Sequence, residues 1–328
     1  MRAPVISLLL ALLLSSGCSR EVRQAEVPAP EPSITEPRDG GRVVRRLEST
    51  VSTLNYVLQA TEDERQVLSL IYDPLIAFDR ELNHIPAIAA RWEVQDRGRA
   101  YVLHLDPRAT FSDGVPVRAA DVIFTLHKIL DEESIQFGSW FEGLDREATV
   151  AVDERTVRVV FRDARATQLS AFNIGVMPEH IYAAENFKKT TKVVGSGPYV
   201  LKRRERDRSI LLERNPNYWR EKAHIQEVLF RPVPDDAVAW KALQRGDLDV
   251  GRVNNDLWFN VRDEPAVKSK IGFLDIHHFS YNAIVWNLSD PMLDDARVRR
   301  ALAMSFDRQT VIENLYRGQA QPVTGPFT

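Results

Sequence analysis

The chain has 328 residues, 44% of them apolar and 27% charged, enough for a sizeable core and for two or three domains. Its formal net charge of -3 leaves no basic excess for a nucleic-acid face and so argues against a nucleic-acid partner. The single cysteine, Cys18, rules out an internal disulfide framework and a thiolate metal clip.

Arg2 precedes an apolar run from Val5 to Leu14, too short to span a bilayer but long enough for a signal-peptide core. Ser15-Ser16-Gly17-Cys18 follows. The pattern resembles a bacterial lipoprotein signal, with residues 1–17 removed and a lipid on Cys18, although Ser15 stands where leucine is usual. A plain secretory cut and a cytosolic protein are the other two readings. Residues 18–41 are rich in Glu, Pro, Arg and Ala and cannot bury enough to order themselves, so they are expected to form a disordered tether.

Arg42 to Leu54 opens the fold. Val43, Val44 and Leu47 are strand-forming, and Ser49-Thr50-Val51-Ser52-Thr53 extends them as a polar, β-branched run. Across Glu62 to Phe78, Val67, Leu68, Leu70, Ile71 and Leu75 recur with helical spacing, broken at Pro74. Tyr101, Leu103 and Leu105 then alternate with Val102 and His104 as a strand, on which His104 reads as a face residue rather than a ligand. After the turn Phe111-Ser112-Asp113-Gly114, the residues Val122, Ile123, Leu126, Ile129 and Leu130 make one buried helical stripe. Asp113 and Asp121 could be imagined as a general acid and base, but turn and helix-start chemistry already accounts for both. Phe137 to Phe141 is an aromatic loop cluster, in which Trp140 either plugs the core or faces a ligand. Ala148 to Arg162 reads as a half-buried antiparallel hairpin, with Val150 and Val152 on one arm and Val157, Val159 and Phe161 on the other.

Gly195 to Trp219 is the most distinctive stretch, a β-hairpin pinned at both ends. Gly195 and Gly197 are expected to take backbone angles that other residues avoid, and Pro198 fixes the entry to the strand that begins at Tyr199. Ile210 and Leu212 alternate with Leu211 and Glu213 until Asn215-Pro216-Asn217 stops the run, and Tyr218 and Trp219 close it. Ile225 to Val233 is a further strand. Asp235 to Leu243 is a helix stopped by Gly246, and Asp247 to Val250 returns as a strand. Phe273 to Asn287 reads as a strand pair in which neighbouring residues face opposite ways, so His277 and His278 cannot share one metal while His277, Phe279 and Tyr281 share a face. Asp294 to Ala301 opens a helix, and Asp307 caps the next, with Val311, Ile312, Leu315 and Tyr316 inward.

The Gly195-Ser196-Gly197-Pro198-Tyr199 turn and the Glu213-Arg214-Asn215-Pro216-Asn217-Tyr218-Trp219 close stand together at a spacing that resembles the extracellular solute-binding proteins of family 5, the peptide, dipeptide and nickel receptors of ABC importers. Further matches are Tyr72-Asp73-Pro74-Leu75, Ile88 to Val94, Asp113-Gly114 with Asp121-Val122, Met177 to His180, Gly246 to Asp249, and Asp294 to Ala301. Two departures stand out: Asn55-Tyr56 replaces the usual Asp-Pro after Leu54, and Arg118 replaces an N-capping threonine. The resemblance implies an α/β, periplasmic binding protein-like fold (type II, cluster C) of multi-lobed architecture. Residues 42–72 and 190–273 would form domain I, 73–189 an inserted domain II, and 274–328 the start of an incomplete third domain.

It further implies a monomer that captures a peptide or similar solute in an interdomain cleft and delivers it to a permease and ATPase complex, with no cofactor and no metal. Cleft candidates are Thr50, Val51 and Ser52 on the first strand, Trp140, and His277, Phe279 and Tyr281 on the crossing strand. Gly195, Gly197, Pro198, Tyr199, Asn215, Pro216, Tyr218 and Trp219 are structural. The protein would sit in the periplasm or cell envelope, anchored to a membrane through Cys18. The alternatives are a binding-impaired or repurposed structural lipoprotein of the same fold, and an enzyme. Against the enzyme, the sequence has no Gly-X-Ser-X-Gly elbow, no His-Glu-X-X-His and no phosphate loop.

Overall fold

Two strands almost two hundred residues apart in sequence pair in parallel and set the architecture: β1 (Gly40–Leu47) lies beside β10 (Ile225–Pro232), with Val44 opposite Leu229 and Leu47 opposite Pro232. The computed structural model describes residues 36–183, 187–188, 191–274 and 281–323. Between the paired strands come α1 (Glu62–Leu68), β2 (Ile76–Phe78), β3 (His84–Pro86), β4 (Ala89–Gln95), β5 (Ala100–Leu105), α2 (Ala119–Asp131), β6 (Val150–Asp153), β7 (Thr156–Val160), α3 (Glu179–Tyr182), β8 (Tyr199–Glu205) and β9 (Ser209–Arg214). After them follow α4 (Asp236–Arg245), α5 (Asn255–Val261), α6 (Pro265–Lys268), α7 (Pro291–Asp294), α8 (Ala296–Ser305) and α9 (Arg308–Asn314). Three sheets result, ordered β1-β10-β9-β8, β2-β3 and β4-β5-β7-β6.

The expected β8–β9 hairpin forms, but its alternation does not hold, because Ile210, Leu211 and Leu212 are all buried. β9 is an interior strand with apolar cover on both faces, so its sequence reads as a continuous apolar run. The opposite happens at β6, where Val150 and Val152 are exposed because the strand forms the edge of its sheet. Helix α1 stops at Leu68, far short of Phe78. The backbone beyond it is engaged elsewhere: the Leu70 carbonyl accepts from Tyr199 N–H at 3.0 Å, and the Ile71 carbonyl from Gly197 N–H at 2.7 Å.

Helix α2 buries Val122, Leu126 and Ile129, and half-buries Ile123 and Leu130, as its stripe requires. At its start Arg118 offers no side-chain cap, and the compensating bond comes from the other half of the capping box: Asp121 Oδ2 accepts from Arg118 N–H at 2.8 Å. Asp235 caps α4, which ends on Gly246 in the left-handed region at φ 77°. The return strand after it shrinks to a single parallel bridge between Val250 and Arg45. Asp295 and Asp307 cap α8 and α9. Val311, Ile312 and Tyr316 are half-buried, whereas Leu315 is exposed rather than inward.

One principal core runs through the three sheets and includes the fully buried Leu68, Leu75, Leu103, Phe111, Phe141 and Phe230. Two small clusters lie beside it, around Ala239 and Leu248 and around Trp240, Val261 and Val267. Among the described residues no helix is long and apolar enough to cross a membrane.

Candidate functional site

β1 and β10 point the same way, so their carboxyl ends lie side by side, and the chain that leaves β1 there is residues 48–60. In open α/β sheets this end of the strands is where ligands are bound. Strand geometry ends at Leu47, so Thr50, Val51 and Ser52 stand on a loop and not on the first strand as expected. Two carboxylates at the start of α1 hold that loop. Asp63 accepts from Glu48 N–H (3.2 Å), Ser49 N–H (2.7 Å) and Ser49 Oγ–H (2.6 Å). Glu64 Oε1 accepts from Ser52 N–H, Ser52 Oγ–H and Thr53 N–H, while its Oε2 accepts from Ala60 and Thr61 N–H.

Burial alone would push the Glu64 carboxyl up, but the hydrogen bonds from Ser52, Ala60, Thr53 and Thr61 outweigh it and hold the group below its ordinary value. From β8, the Arg204 guanidinium donates to the Val51 carbonyl (2.7 Å) and the Ser52 carbonyl (3.0 Å). Val51 is buried, and the Ser52 hydroxyl is taken by Glu64. Thr50 is exposed and, among the described residues, its side chain has no hydrogen-bond partner, so it is the group this loop offers outward.

The departure at Asn55 is resolved locally. Asn55 Oδ1 accepts from Val57 N–H at 3.1 Å, and its Nδ2 donates to the Phe187 carbonyl at 2.9 Å, so asparagine builds the turn itself. Past it, Tyr56 stacks on Phe137 with centroids 5.3 Å apart, and Phe137 meets Trp140 edge-on at 5.4 Å. Ser134 Oγ–H donates to the Val57 carbonyl at 2.7 Å and completes the attachment. The structure thus brings Trp140 into one packed body with the loop after β1. Of the aromatic cluster, Phe137 and Phe141 enter the core while Trp140 stays 38% exposed, so it is not the core plug.

The remaining expectations divide. Tyr281 is exposed in an irregular stretch, and no strand is assigned to residues 271–274 or 281–287. Its neighbour Asn282 donates to Tyr316 Oη at 2.6 Å. His277, Phe279 and Cys18 lie outside the described residues. His104 meets Glu93 at 3.2 Å on the sheet face, and Asp113 pairs with His180 at 2.8 Å while Asp121 accepts from two backbone N–H groups. A cavity of about 430 Å³ lined by Trp258, Arg262, Asp263, Lys268, Ile271 and Phe273 is open, and its charges answer one another: Asp263 pairs with Lys268 at 3.0 Å and with Arg262 at 3.3 Å.

The pinned hairpin is a packing junction. Gly195 and Gly197 do not have positive φ; both are glycines because they lie against the Ile71 backbone. A Cβ on Gly197 would sit 2.6 Å from the Ile71 carbonyl carbon and 2.7 Å from the Leu70 oxygen. Asn215 Nδ2 donates to the Gly197 carbonyl (3.0 Å), Asn215 N–H to the Pro198 carbonyl (2.8 Å), and Tyr199 Oη–H to the Ile225 carbonyl (3.0 Å). Tyr218 Oη–H and Trp219 Nε1–H both donate to the buried Asp73 carboxylate, at 3.1 and 2.9 Å. Pro216 is exposed and serves to end β9.

These elements match known proteins throughout. The model of the bacterial extracellular solute-binding proteins, family 5 Middle, covers residues 83–328. The chain belongs to that family. Members are binding proteins. Protein XP55 of Streptomyces lividans is 28% identical over 304 residues, covering 88% of this chain and 53% of its own. A probable di/tripeptide-binding protein 5 of Pseudomonas aeruginosa is 26% identical over 294 residues, covering 79% and 53%. Among solved structures, NikZ from Campylobacter jejuni in complex with Ni(L-His) superposes with a TM-score of 0.76 at 22% identity, over 87% of this chain and 57% of that one. The fold is therefore the periplasmic binding protein-like α/β architecture of the solved family 5 proteins. The family 5 chain described here spans about half the length of the curated relatives it matches.

Sequence reasoning passed over Asp63, Glu64, Arg46 and Arg204, and noted Asp73 only as part of a family motif. One signal was present for Glu64: Thr61 and Glu64 have the Thr-X-X-Glu spacing of a capping box, and Thr61 Oγ1 does accept from Glu64 N–H at 3.2 Å. Arg46, buried at the end of β1, donates to the carbonyls of Val233, Pro234 and Arg252 and to Asp236. It thereby ties the segments after β10 and α4 to the same end of the sheet.

Proposed function

We propose that this chain is the solute-capturing component of an ABC importer, holding a peptide or similar small solute without altering it and passing it to a membrane permease and its ATPase. The observation that carries the reading is the loop 48–53 at the carboxyl end of the parallel β1–β10 pair, fixed from below by Asp63 and Glu64 and from the side by Arg204, with Thr50 outward. A loop held this way is pre-organised, so binding a solute costs little ordering entropy. If the solute is a peptide, its main chain can be paired independently of sequence. The name of the Pseudomonas aeruginosa relative supports a peptide as the solute. Trp140, packed through Phe137 and Tyr56 onto the same loop, supplies an apolar contact, and His277, Phe279 and Tyr281 are assigned to the opposite wall.

In this reading residues 42–72 and 190–273 act as one domain, 73–189 as an inserted second, and 274–328 as the beginning of a third. The protein works as a monomer in the cell envelope, held by a lipid on Cys18 after removal of residues 1–17, and it catalyses no reaction. The test is native mass spectrometry of the purified protein with a pool of di- to pentapeptides. The expected result is a one-to-one adduct that Thr50→Trp weakens while the fold persists. Chemical conversion of the pool, or an adduct indifferent to Thr50→Trp, would overturn the reading.

A further inference from the structure

The loop after β1 leaves one edge of the four-stranded sheet and is met from the other, because β1 and β8 are the two edge strands and Arg204 stands on β8. The β8–β9 turn lies at the same end of the sheet, with Glu205 opposite Ser209, Ile210 opposite Phe230, and Leu47 opposite Pro232. Arg204 Nη2–H donates to the Val51 carbonyl at 2.7 Å and the Ser52 carbonyl at 3.0 Å, on the two residues that follow the outward Thr50. Among the described residues Nε and Nη1 of Arg204 have no hydrogen-bond partner, and no carboxylate lies within ion-pair distance of it. The guanidinium is thus held in place by two neutral acceptors, with its charge unanswered and its Nε–H and Nη1–H groups unused.

The acids nearby are already answered. Along Lys202 to Arg208, Glu205 pairs with Arg203 at 3.4 Å and Asp207 faces Arg206 at 3.8 Å, which leaves Arg204 and the exposed Arg208 uncompensated. Asp63 and Glu64 accept from the N–H and hydroxyl groups beneath the loop, and Glu48 faces Arg252 at 3.9 Å. In the row Arg204, Ile210, Phe230, Arg45 across the sheet, the Arg45 guanidinium lies over the Phe230 ring at 5.6 Å and donates to the Gln66 amide oxygen at 3.4 Å, again without a carboxylate.

We propose that Arg204, with Thr50 beside it, is a carboxylate-recognition site, so that the captured solute presents a carboxylate to this end of the loop. The inference rests on the reading of the loop as the place where a solute is held. A guanidinium matches a carboxylate with paired N–H donors, and hydrogen bonds between charged groups are the strong ones. The two carbonyls fix the Arg204 side chain before the solute arrives, so little rotamer freedom is lost on binding. Thr50 offers a hydroxyl donor next to it. Arg208 and Arg45 add a positive field that draws an anion toward the site. In a peptide the carboxylate is either the chain terminus or an acidic side chain.

The test is native mass spectrometry of the purified protein, titrated with four pools of di- to pentapeptides: neutral side chains with a free carboxyl terminus, the same as C-terminal amides, and amides carrying one aspartate or one lysine. A pool that bears the recognised carboxylate should bind about tenfold or more tighter than the neutral amides. Preference for the free acids names the chain terminus, and preference for the aspartyl amides names the side chain. In Arg204→Gln that ratio should fall toward one while the neutral amides bind nearly as they do to the wild type; a merely loosened loop would weaken every pool alike. Should Arg204→Gln fail to fold, hydrogen exchange of the wild type decides: the anionic pool should protect residues 200–206 more than the neutral amides do, and equal protection would overturn the proposal. Neutral or lysyl amides bound as tightly as both anionic pools, or a ratio that survives Arg204→Gln, would overturn it and leave the solute-capturing reading standing. Absence of binding from all four pools would overturn both.

Discussion

Replacing Gly197 with alanine tests why the hairpin is built as it is. The added Cβ would lie 2.6 Å from the Ile71 carbonyl carbon and 2.7 Å from the Ile71 and Leu70 oxygens, all of them backbone atoms that cannot swing aside as a side-chain tip would. Relief of such overpacking costs about 1–3 kcal/mol. Relief also requires the 195–199 turn to withdraw from the chain leaving α1, which stretches Gly197 N–H to Ile71 O at 2.7 Å and Tyr199 N–H to Leu70 O at 3.0 Å. Each is worth about 0.5–1.5 kcal/mol. Against this stands a gain of about 0.4–1 kcal/mol, because alanine restricts the unfolded chain more than glycine does. The net loss is about 2–4 kcal/mol, a large share of the stability of an ordinary domain. Urea denaturation followed by tryptophan emission measures it, with Gly138→Ala as the control, since nothing lies within 4 Å of a Cβ there. The variant should unfold about 1 M earlier than the wild type while the control stays close to it. Equal midpoints for Gly197→Ala and wild type would refute the close-approach argument.

Glu64→Gln should cost about 2–3 kcal/mol, because a buried acceptor of five hydrogen bonds loses its charge and half of its capacity. The Glu64 carboxyl is held below its ordinary value when folded, so its contribution is present above that value and is lost as pH falls through the folded one. The gap between variant and wild type should therefore close as pH falls below the ordinary glutamate value in a series of melts. Phe141→Ala, at a fully buried ring, should lower stability by about 3–5 kcal/mol, whereas Trp140→Ala, 38% exposed, should lower it by less than about half as much in the same assay.

The caps at Gly246 and Asp307 were legible because capping is local: each acts within four residues of its own position, and each does what its chain neighbours imply. The pairing of β8 with β9 was legible for the same reason, being a short hairpin. The role of Gly195 and Gly197 was not, since what demands glycine there is the backbone of Ile71, more than a hundred residues away, and a sequence window shows only the turn. The β-branched run at residues 49–53 reads as strand, yet Asp63 captures the N–H groups of Glu48 and Ser49 and Glu64 those of Ser52 and Thr53, so carboxylates outside the segment overrule its propensity. Which of Phe137, Trp140 and Phe141 would enter the core depends on Tyr56 and Phe172, which no spacing rule brings to that loop. Exposure of β6 likewise follows from its place at a sheet edge and not from its valines.

In the proposed function a solute is held against the loop fixed by Asp63, Glu64 and Arg204. Hydrogen exchange with and without a saturating pool of short peptides tests it most directly. Protection concentrated on residues 48–58 and 134–141, with the peptides recovered intact, is the predicted result; saturable binding that leaves both segments exchanging at their unliganded rates would contradict it.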